Sequence, residues 1–421
     1  MAFWSVVWLA SRLAQVITEP FSRLIVMLFL VVLSHVDVIK FLFIHSVTAF
    51  VKTFVAKSED STDMFDPIFI YYIQISFLFK KILYIIKMLT KLFSIVLSLF
   101  VFAANAAVLD HHSSQFSEFI KSYNKEYSDT ELVTRFSVFK NNLQKIEDHN
   151  SEGHSWKMGI NQFADLTADE FKIKHTGFNK PLPVLRKSNI AFEDLILSTD
   201  LPAELDWVDK NAVTAVKDQG QCGSCWSFST TGSVEGAYAL SSGKLVSLSE
   251  QQLVDCSSSY GNQGCNGGLM TAGFEYLEDH GLCSEDDYKY TASVGTCKTC
   301  TPVTKVNSYV NIPAKNETLL QQALLLGPVS VAVEADQLSW QLYSSGVVTF
   351  DCSTNLDHGV TLVAYGSSNG QDFWKVKNSW GAGWGEQGYV RLARNSKQSG
   401  GMCGITLMAS YPVIDKEEMV V

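Results

Sequence analysis

Apolar residues are spread unevenly along the chain, and their spacing divides it. Over residues 1–87 they fall in runs such as 24–33 and 67–79, rich in Phe, Ile and Val and broken by Lys, Asp and His. Neither run reaches the roughly 18 to 20 uninterrupted apolar residues of a membrane-spanning helix. A shorter pattern follows. Met88-Leu89-Thr90-Lys91 gives a basic start, 92–102 an apolar stretch and Ala104-Asn105-Ala106 a small-residue end, the layout of a secretory signal peptide. The preferred reading is synthesis from Met88, or removal of everything before Ala107; a membrane-embedded leader on residues 1–87 is the alternative.

From Ala107 the composition becomes soluble. Glu131, Arg135, Phe139, Asn142, Ile146 and Asn150 recur at spacings of three and four, which puts all six on one face of a helix. Four of the six are polar, which is unusual for a packed stripe. Residues 178–199 contain Pro181 and Pro183 and read as an extended connector. Residues 226–240 predict a helix, with Ser224 placed to cap its start and Gly243 to end it. Ser249 with Gln252 three residues on announces a second helix through a capping box. Up to about Val310 the pattern is mainly helical. Beyond it, 329–333, 347–350, 359–365, 373–376 and 388–392 are strand-like. The fold class is α+β, in two lobes.

Candidate chemistry gathers around Gln219-Gly220-Gln221-Cys222-Gly223-Ser224-Cys225-Trp226. Cys225 falls in the first turn of the predicted helix, where free backbone N–H groups and the helix dipole favour a nucleophilic thiolate. A base is needed beside it, and only His280 and His358 follow in the sequence. His280 sits at a predicted helix end and reads as a C-terminal cation. His358 opens an apolar strand, and the turn-rich 366–370 leads to a second strand ending at Asn378. Folded back about Ser368, the two arms put His358 and Asn378 opposite each other.

These residues resemble the papain-like cysteine proteases, nearest the cathepsin L branch: Gln219, Cys222-Gly223-Ser224-Cys225-Trp226, Leu356-Asp357-His358-Gly359 and Lys377-Asn378-Ser379-Trp380-Gly381. His358 and Asn378 lie 133 and 153 positions after Cys225, close to the family spacing of roughly 130 to 150. The 131–150 set and Gly159-Ile160-Asn161-Gln162-Phe163-Ala164-Asp165, with its Gly159, Asn161, Phe163 and Asp165, match two motifs of the inhibitory propeptide in that branch. The resemblance implies a two-lobe fold, helical on the left and β-barrel-like on the right. A helical propeptide would precede it and run through the cleft in the non-cleavable direction. The implied division is an unassigned leader 1–87, signal peptide 88–106, propeptide 107–200 and peptidase 201–421. Cys225 would attack as a thiolate paired with the His358 imidazolium, Asn378 would orient the imidazole, and Trp380 would shield that contact. Gln219 and the Cys225 backbone N–H would hold the oxyanion. Gly267 and Gly268 would pair with substrate backbone. Leu269, Met270, Ala332, Gly359 and Met408 would line an uncharged pocket for the second residue before the cut. An endopeptidase is implied, since no inserted loop with paired histidines is seen. Acidification would release the propeptide by protonating carboxylates such as Glu131 and Asp165, whose ion pairing would be lost.

All nine cysteines lie between Cys222 and Cys403. With Cys225 free, eight remain, an even number that suits disulfides in an oxidising compartment. The resemblance pairs Cys222 with Cys265, Cys256 with Cys297 and Cys352 with Cys403. Cys283 and Cys300 depart from the common pattern, and either bridge each other or exchange with Cys297. From Leu201 onward 13 Lys and Arg oppose 23 Asp and Glu, which does not suit nucleic acid and is compatible with an acidic compartment. Protein and peptide substrates, the chain's own propeptide as inhibitor, a monomer, no stable membrane contact of the mature enzyme, and no metal or cofactor are expected. So is a secretory route to a lysosome, vacuole or the exterior. Asn316-Glu317-Thr318 is a glycosylation sequon. A catalytically silent peptide-binding relative and a membrane-embedded interaction protein are the competing classes.

Overall fold

The structure is a computed structural model, and it describes residue 45 and residues 66–177, 191–192 and 200–414. The apolar run 24–33 and most of the connector 178–199 lie outside those residues. A helix spans Asp66–Ser122, so the backbone is helical without interruption through 88–106. Among the described residues no helix is long and apolar enough to cross a membrane.

The chain divides into two compact units, Met1–Asn105 and Ala106–Val421. Within the second, the helix Asp129–Ser151 starts with a full capping box: Ser128 Oγ accepts from the Glu131 N–H, and the Glu131 carboxylate accepts from the Ser128 N–H. This corrects the expectation for Glu131, which caps its own helix instead of forming an ion pair. Phe139, Asn142 and Ile146 of the predicted face are buried. The polar members of that face fasten backbone. Asn142 Nδ2 donates to the carbonyls of Ala164 and Leu166, both at 2.9 Å. Asn150 exchanges two hydrogen bonds with the Met158 backbone, and Arg135 reaches the Asp165 carbonyl while forking onto Glu170 at 2.8 and 2.9 Å. A polar stripe on a packed face is thus explained: its partners are main-chain groups that would otherwise be buried unpaired.

Eleven strands are named in chain order: β1 Trp156–Met158, β2 Leu205–Asp206, β3 Leu282–Cys283, β4 Pro302–Thr304, β5 Ser308–Ile312, β6 Val329–Val333, β7 Tyr343–Val348, β8 His358–Ser368, β9 Gln371–Lys377, β10 Tyr389–Ala393 and β11 Ala409–Val413. Nine form one sheet in the order β1-β7-β10-β9-β8-β6-β11-β5, with β2 on β8. It is not a closed barrel, since the path ends at β1 and β5. The sequence boundary at Val310 cuts through β5, a strand too short to show a clear period. The helical lobe contains Cys225–Ser242, Glu250–Cys256 and Met270–His280. Two apolar cores match the two lobes. One gathers Trp226, Val234, Leu253, Phe274 and Leu277 among the helices. The other joins the sheet to Phe116, Phe139, Phe163 and Phe171 from the N-terminal segment. That segment also extends the sheet, because β1 pairs with β7 in the register Trp156 to Gly346 and Lys157 to Ser345.

Four disulfides close the molecule: Cys222–Cys265, Cys256–Cys297, Cys283–Cys300 and Cys352–Cys403. Cys283 and Cys300, left open by sequence, pair with each other, and Cys225 is the free thiol.

Candidate active site

Cys225 is the first residue of its helix, and the helix ends at Gly243, whose positive φ of 75° suits a residue without a side chain. Ser224 does not cap with its side chain. Its hydroxyl turns instead to the Tyr290 hydroxyl at 2.6 Å. His358 begins β8, where it pairs with Val333 of β6. Its ring reaches Asn378, with Nε2 to Oδ1 at 2.8 Å. Asn378 Oδ1 also accepts the Ser379 N–H at 2.8 Å. That oxygen can only accept, so Nε2 carries a proton. Nδ1 makes no hydrogen bond. The neighbouring Gly359 N–H donates to Cys225 Sγ at 3.3 Å, so sulfur and imidazole are served by adjacent residues.

The contact was expected from hairpin counting, but the register differs. Ser368 pairs with Gln371, a bulge falls between Leu362 and Ala364, and the ladder stops at Thr361 and Lys377. Asn378 thus reaches His358 diagonally. Trp380 lies on the other side, stacked on the imidazole with ring centroids 4.6 Å apart.

Gln219 is fully buried. Ser379 Oγ donates to its Oε1 at 2.7 Å, which turns Nε2 toward the Cys225 turn. There Nε2 donates to the carbonyls of Cys222 at 3.0 Å and of His175 at 3.2 Å. Trp380 Nε1 donates to the same His175 carbonyl at 3.1 Å. Two residues later the Gly177 N–H donates to Asp357 O and its carbonyl accepts from the Gly268 N–H, both at 3.1 Å. The N-terminal segment therefore crosses the cleft from Trp380 and Gln219 toward Gly268. Glycine is required at the crossing, because a Cβ on Gly177 would meet Gly223 O at 2.2 Å. A Cβ on Gly268 would meet the Trp226 ring at 2.7 Å. Gly267 holds a φ of 108° beside it.

Burial under this segment changes the electrostatics. It pushes the Cys225 thiol up to about 12 and the His358 imidazole down to about 4. Burial thus disfavours the charged form of each member while the segment covers them. His175, buried against Phe163 at 4.4 Å and Phe171 at 5.6 Å, is likewise pushed down to about 4 by burial and by Lys174. Asp165 is tied to Lys125 at 3.0 Å and Tyr127 at 2.7 Å, within the same segment and not across the cleft.

A cavity of about 240 Å³ brings together Leu269, Met270 and Met408, and adds Asn311, Ile312 and Leu407. Ala332 and Gly359 do not line it. Ala332 is buried beneath, its N–H bonded to Met408 O, and Gly359 faces Cys225 and Met270. Residues 201–413 match the family described as papain family cysteine protease, and residues 116–171 match the cathepsin propeptide inhibitor domain. The chain belongs to the papain family. It is 46% identical over 328 residues to cysteine proteinase 3 of Dictyostelium discoideum, covering 76% of this chain and 96% of that one. Germination-specific cysteine protease 1 of Arabidopsis thaliana is 46% identical over 290 residues, 66% of this chain and 77% of the relative. Among solved structures, digestive procathepsin L 3 of Tenebrio molitor superimposes with a TM-score of 0.65 at 43% identity, over 72% of this chain and 99% of that one. This papain-family chain is a cysteine-type peptidase zymogen with an inhibitory propeptide acting on its own cleft. Its protease domain acts on protein substrates.

Sequence reasoning missed three parts of the site. His175 carried no motif, Asn311 and Leu407 come from separate strands and turns, and Tyr290 reaches the centre only through space.

Proposed function

We propose that the protein is a secretory cysteine endopeptidase, with signal peptide 88–106, propeptide 107–200 and peptidase 201–421, bound for a lysosome, vacuole or the exterior. Residues 1–87 keep no assigned role. Cys225 attacks the peptide carbonyl, His358 Nδ1 takes the thiol proton and later delivers it to the leaving amine, and Asn378 holds the ring. Gln219 Nε2 and the Cys225 N–H receive the oxyanion. Water then hydrolyses the thioester. The observation that carries this reading is the His175 carbonyl, an acyl oxygen already sitting on Gln219 Nε2 at 3.2 Å beside Cys225. Substrate entering with its backbone on Gly268 would run opposite to the propeptide, which explains why the propeptide is not cut there. Precursor from Ala107, acidified and assayed on a peptide with and without a thiol alkylator, tests it: turnover must appear and must be abolished by alkylation.

Activation should depend on His175. Its docked pKa, about 4, lies below the ordinary value near 6.5, so docking is undisturbed above pH 6.5. As pH falls below 6.5 the released propeptide takes up a proton that the docked one refuses. By pH 5 this weakens docking by about 2 kcal/mol, roughly 30-fold. His358 shifts in the same direction. Glu170, held at about 2 by Arg135, stays ionised throughout this window. Precursor carrying His175→Gln is expected to lose most of the acceleration of propeptide release between pH 7 and 5. An unchanged pH profile would return the role to the carboxylates.

The pocket at Met408 favours an apolar residue two positions before the cut. The lining of this cavity carries no charged residue, so an Arg there would lose water without gaining a carboxylate partner. Met adapts to several apolar shapes, and Leu, Phe and Val are all expected to be accepted. Met408→Glu should raise kcat/KM for Arg peptides by about tenfold, the worth of one charged hydrogen bond. Equal rates for Arg and Leu in the unaltered enzyme would reject the pocket.

A further inference from the structure

Tyr290 lies in the loop after β3, outside the catalytic set. Its ring packs edge-on against Phe228, 4.9 Å between centroids. Its N–H is held by Glu285 Oε1 at 2.8 Å. The hydroxyl meets two partners: Ser224 Oγ at 2.6 Å and the Gln219 carbonyl at 2.9 Å. A carbonyl only accepts, so the phenol must donate to Gln219 and accept from Ser224. Ser224 Oγ also lies 3.4 Å from the Cys222 carbonyl; with its proton on the shorter contact to the phenol, the chain runs from Ser224 through Tyr290 to Gln219. The two ends of this chain are informative. The Ser224–Cys225 peptide carries the backbone N–H assigned to the oxyanion, and Gln219 carries the side-chain donor.

Gln219 is also gripped from the opposite lobe. Its N–H donates to Ser379 O at 2.8 Å, and Ser379 Oγ donates to its Oε1. Gly220, at a φ of +62°, follows directly, its N–H donating to Asp218 Oδ1 at 2.8 Å. On the helical-lobe side the Cys222–Cys265 disulfide closes the segment from Gln219 onward at Cys222, and the phenol holds it at the Gln219 carbonyl.

Resting on the catalytic reading above, we infer that Tyr290 is a positioning residue for the oxyanion site, setting the separation between the Gln219 and Cys225 donors. Its hydroxyl bonds to Ser224 and Gln219 and not to the Cys225 thiol. Its effect should therefore appear where negative oxygen develops and nowhere else.

The experiment uses mature enzyme with Tyr290→Phe, and with Ser224→Ala as a variant that breaks the Ser224 link to the phenol together with its longer contact to the Cys222 carbonyl. Tyr290→Phe is expected to lower kcat by about tenfold with KM changed less than twofold. A peptide aldehyde probes the same donors: the Cys225 sulfur bonds to the aldehyde carbon, the carbonyl π pair moves to oxygen, and that oxygen takes a proton. Its affinity should fall in parallel with kcat. The rate of iodoacetamide alkylation and its pH profile, which report the thiolate alone, should not move. Combined with Gln219→Ala, the Tyr290→Phe penalty should largely vanish. Unchanged kcat, or a kcat loss matched by a loss of alkylation rate and thermal stability, would overturn the inference. Absence of turnover in the unaltered enzyme would instead reject the catalytic reading itself.

Discussion

Cys225→Ala and His358→Ala enzymes, matured in trans by active protein, are expected to lose on the order of 10⁴-fold or more in kcat/KM while remaining folded. Cys225 Sγ is the free thiol, and His358 Nδ1 is a buried ring nitrogen that makes no hydrogen bond. Each member needs the other: a thiol without a base stays protonated, and a base without the thiol has nothing to activate. The double variant should therefore be little worse than either single one. Folding should survive, because Cys225 contributes only a small side chain and His358 is held mainly through β8 pairing with β6. The measurement is steady-state hydrolysis beside thermal denaturation. Substantial turnover in purified Cys225→Ala protein would remove the assignment.

Gln219→Ala should be the next most severe, lowering kcat by about 10²- to 10³-fold with little change in KM. The Nε2 group is preorganised by Ser379 on the amide oxygen and by the buried surroundings, so its donation to a developing oxyanion requires no rearrangement. In the precursor it already rests on a neutral carbonyl, that of His175, which gains less from the same donor than a full negative charge does. An unchanged kcat in Gln219→Ala would move the oxyanion role to other donors.

The reach of sequence reasoning depended on how local each relation is. Cys225 at a helix start and Gly243 at its end follow from neighbours in the chain, and both are where the pattern put them. The meeting of His358 and Asn378 was reached by counting along a hairpin, although the bulge near Val363 and the tight turn at Asn369 and Gly370 moved the register. The contact survives because a side chain spans a diagonal as readily as a direct pair. The polar helix face of Arg135, Asn142 and Asn150 was noticed as odd, but its partners are carbonyls whose position no side-chain pattern records. His175 and Tyr290 were illegible for a similar reason. Their importance comes from burial and from hydroxyl geometry across more than 40 positions of chain, and neither leaves a period or a motif. The push of the Cys225 thiol up and of the His358 imidazole down belongs to the same class, since desolvation is a property of the closed cleft and not of the residues in it.

The pairing of β1 with β7 means that maturation also subtracts a strand. Ser155 and Trp156 now cover the margin of β7, with Ser155 O accepting from the Val347 N–H and Ser155 Oγ donating to Val347 O. Gly346, at a φ of 93°, leaves room for that neighbour, since a Cβ there would strike Ser155 O at 2.4 Å. Once the propeptide is gone, the same main-chain groups face water in a row, next to a notch already shaped to admit backbone. Such a margin accepts extended chains with little regard to their side chains. Removing β1 therefore turns β7 from an inner strand of the sheet into its margin.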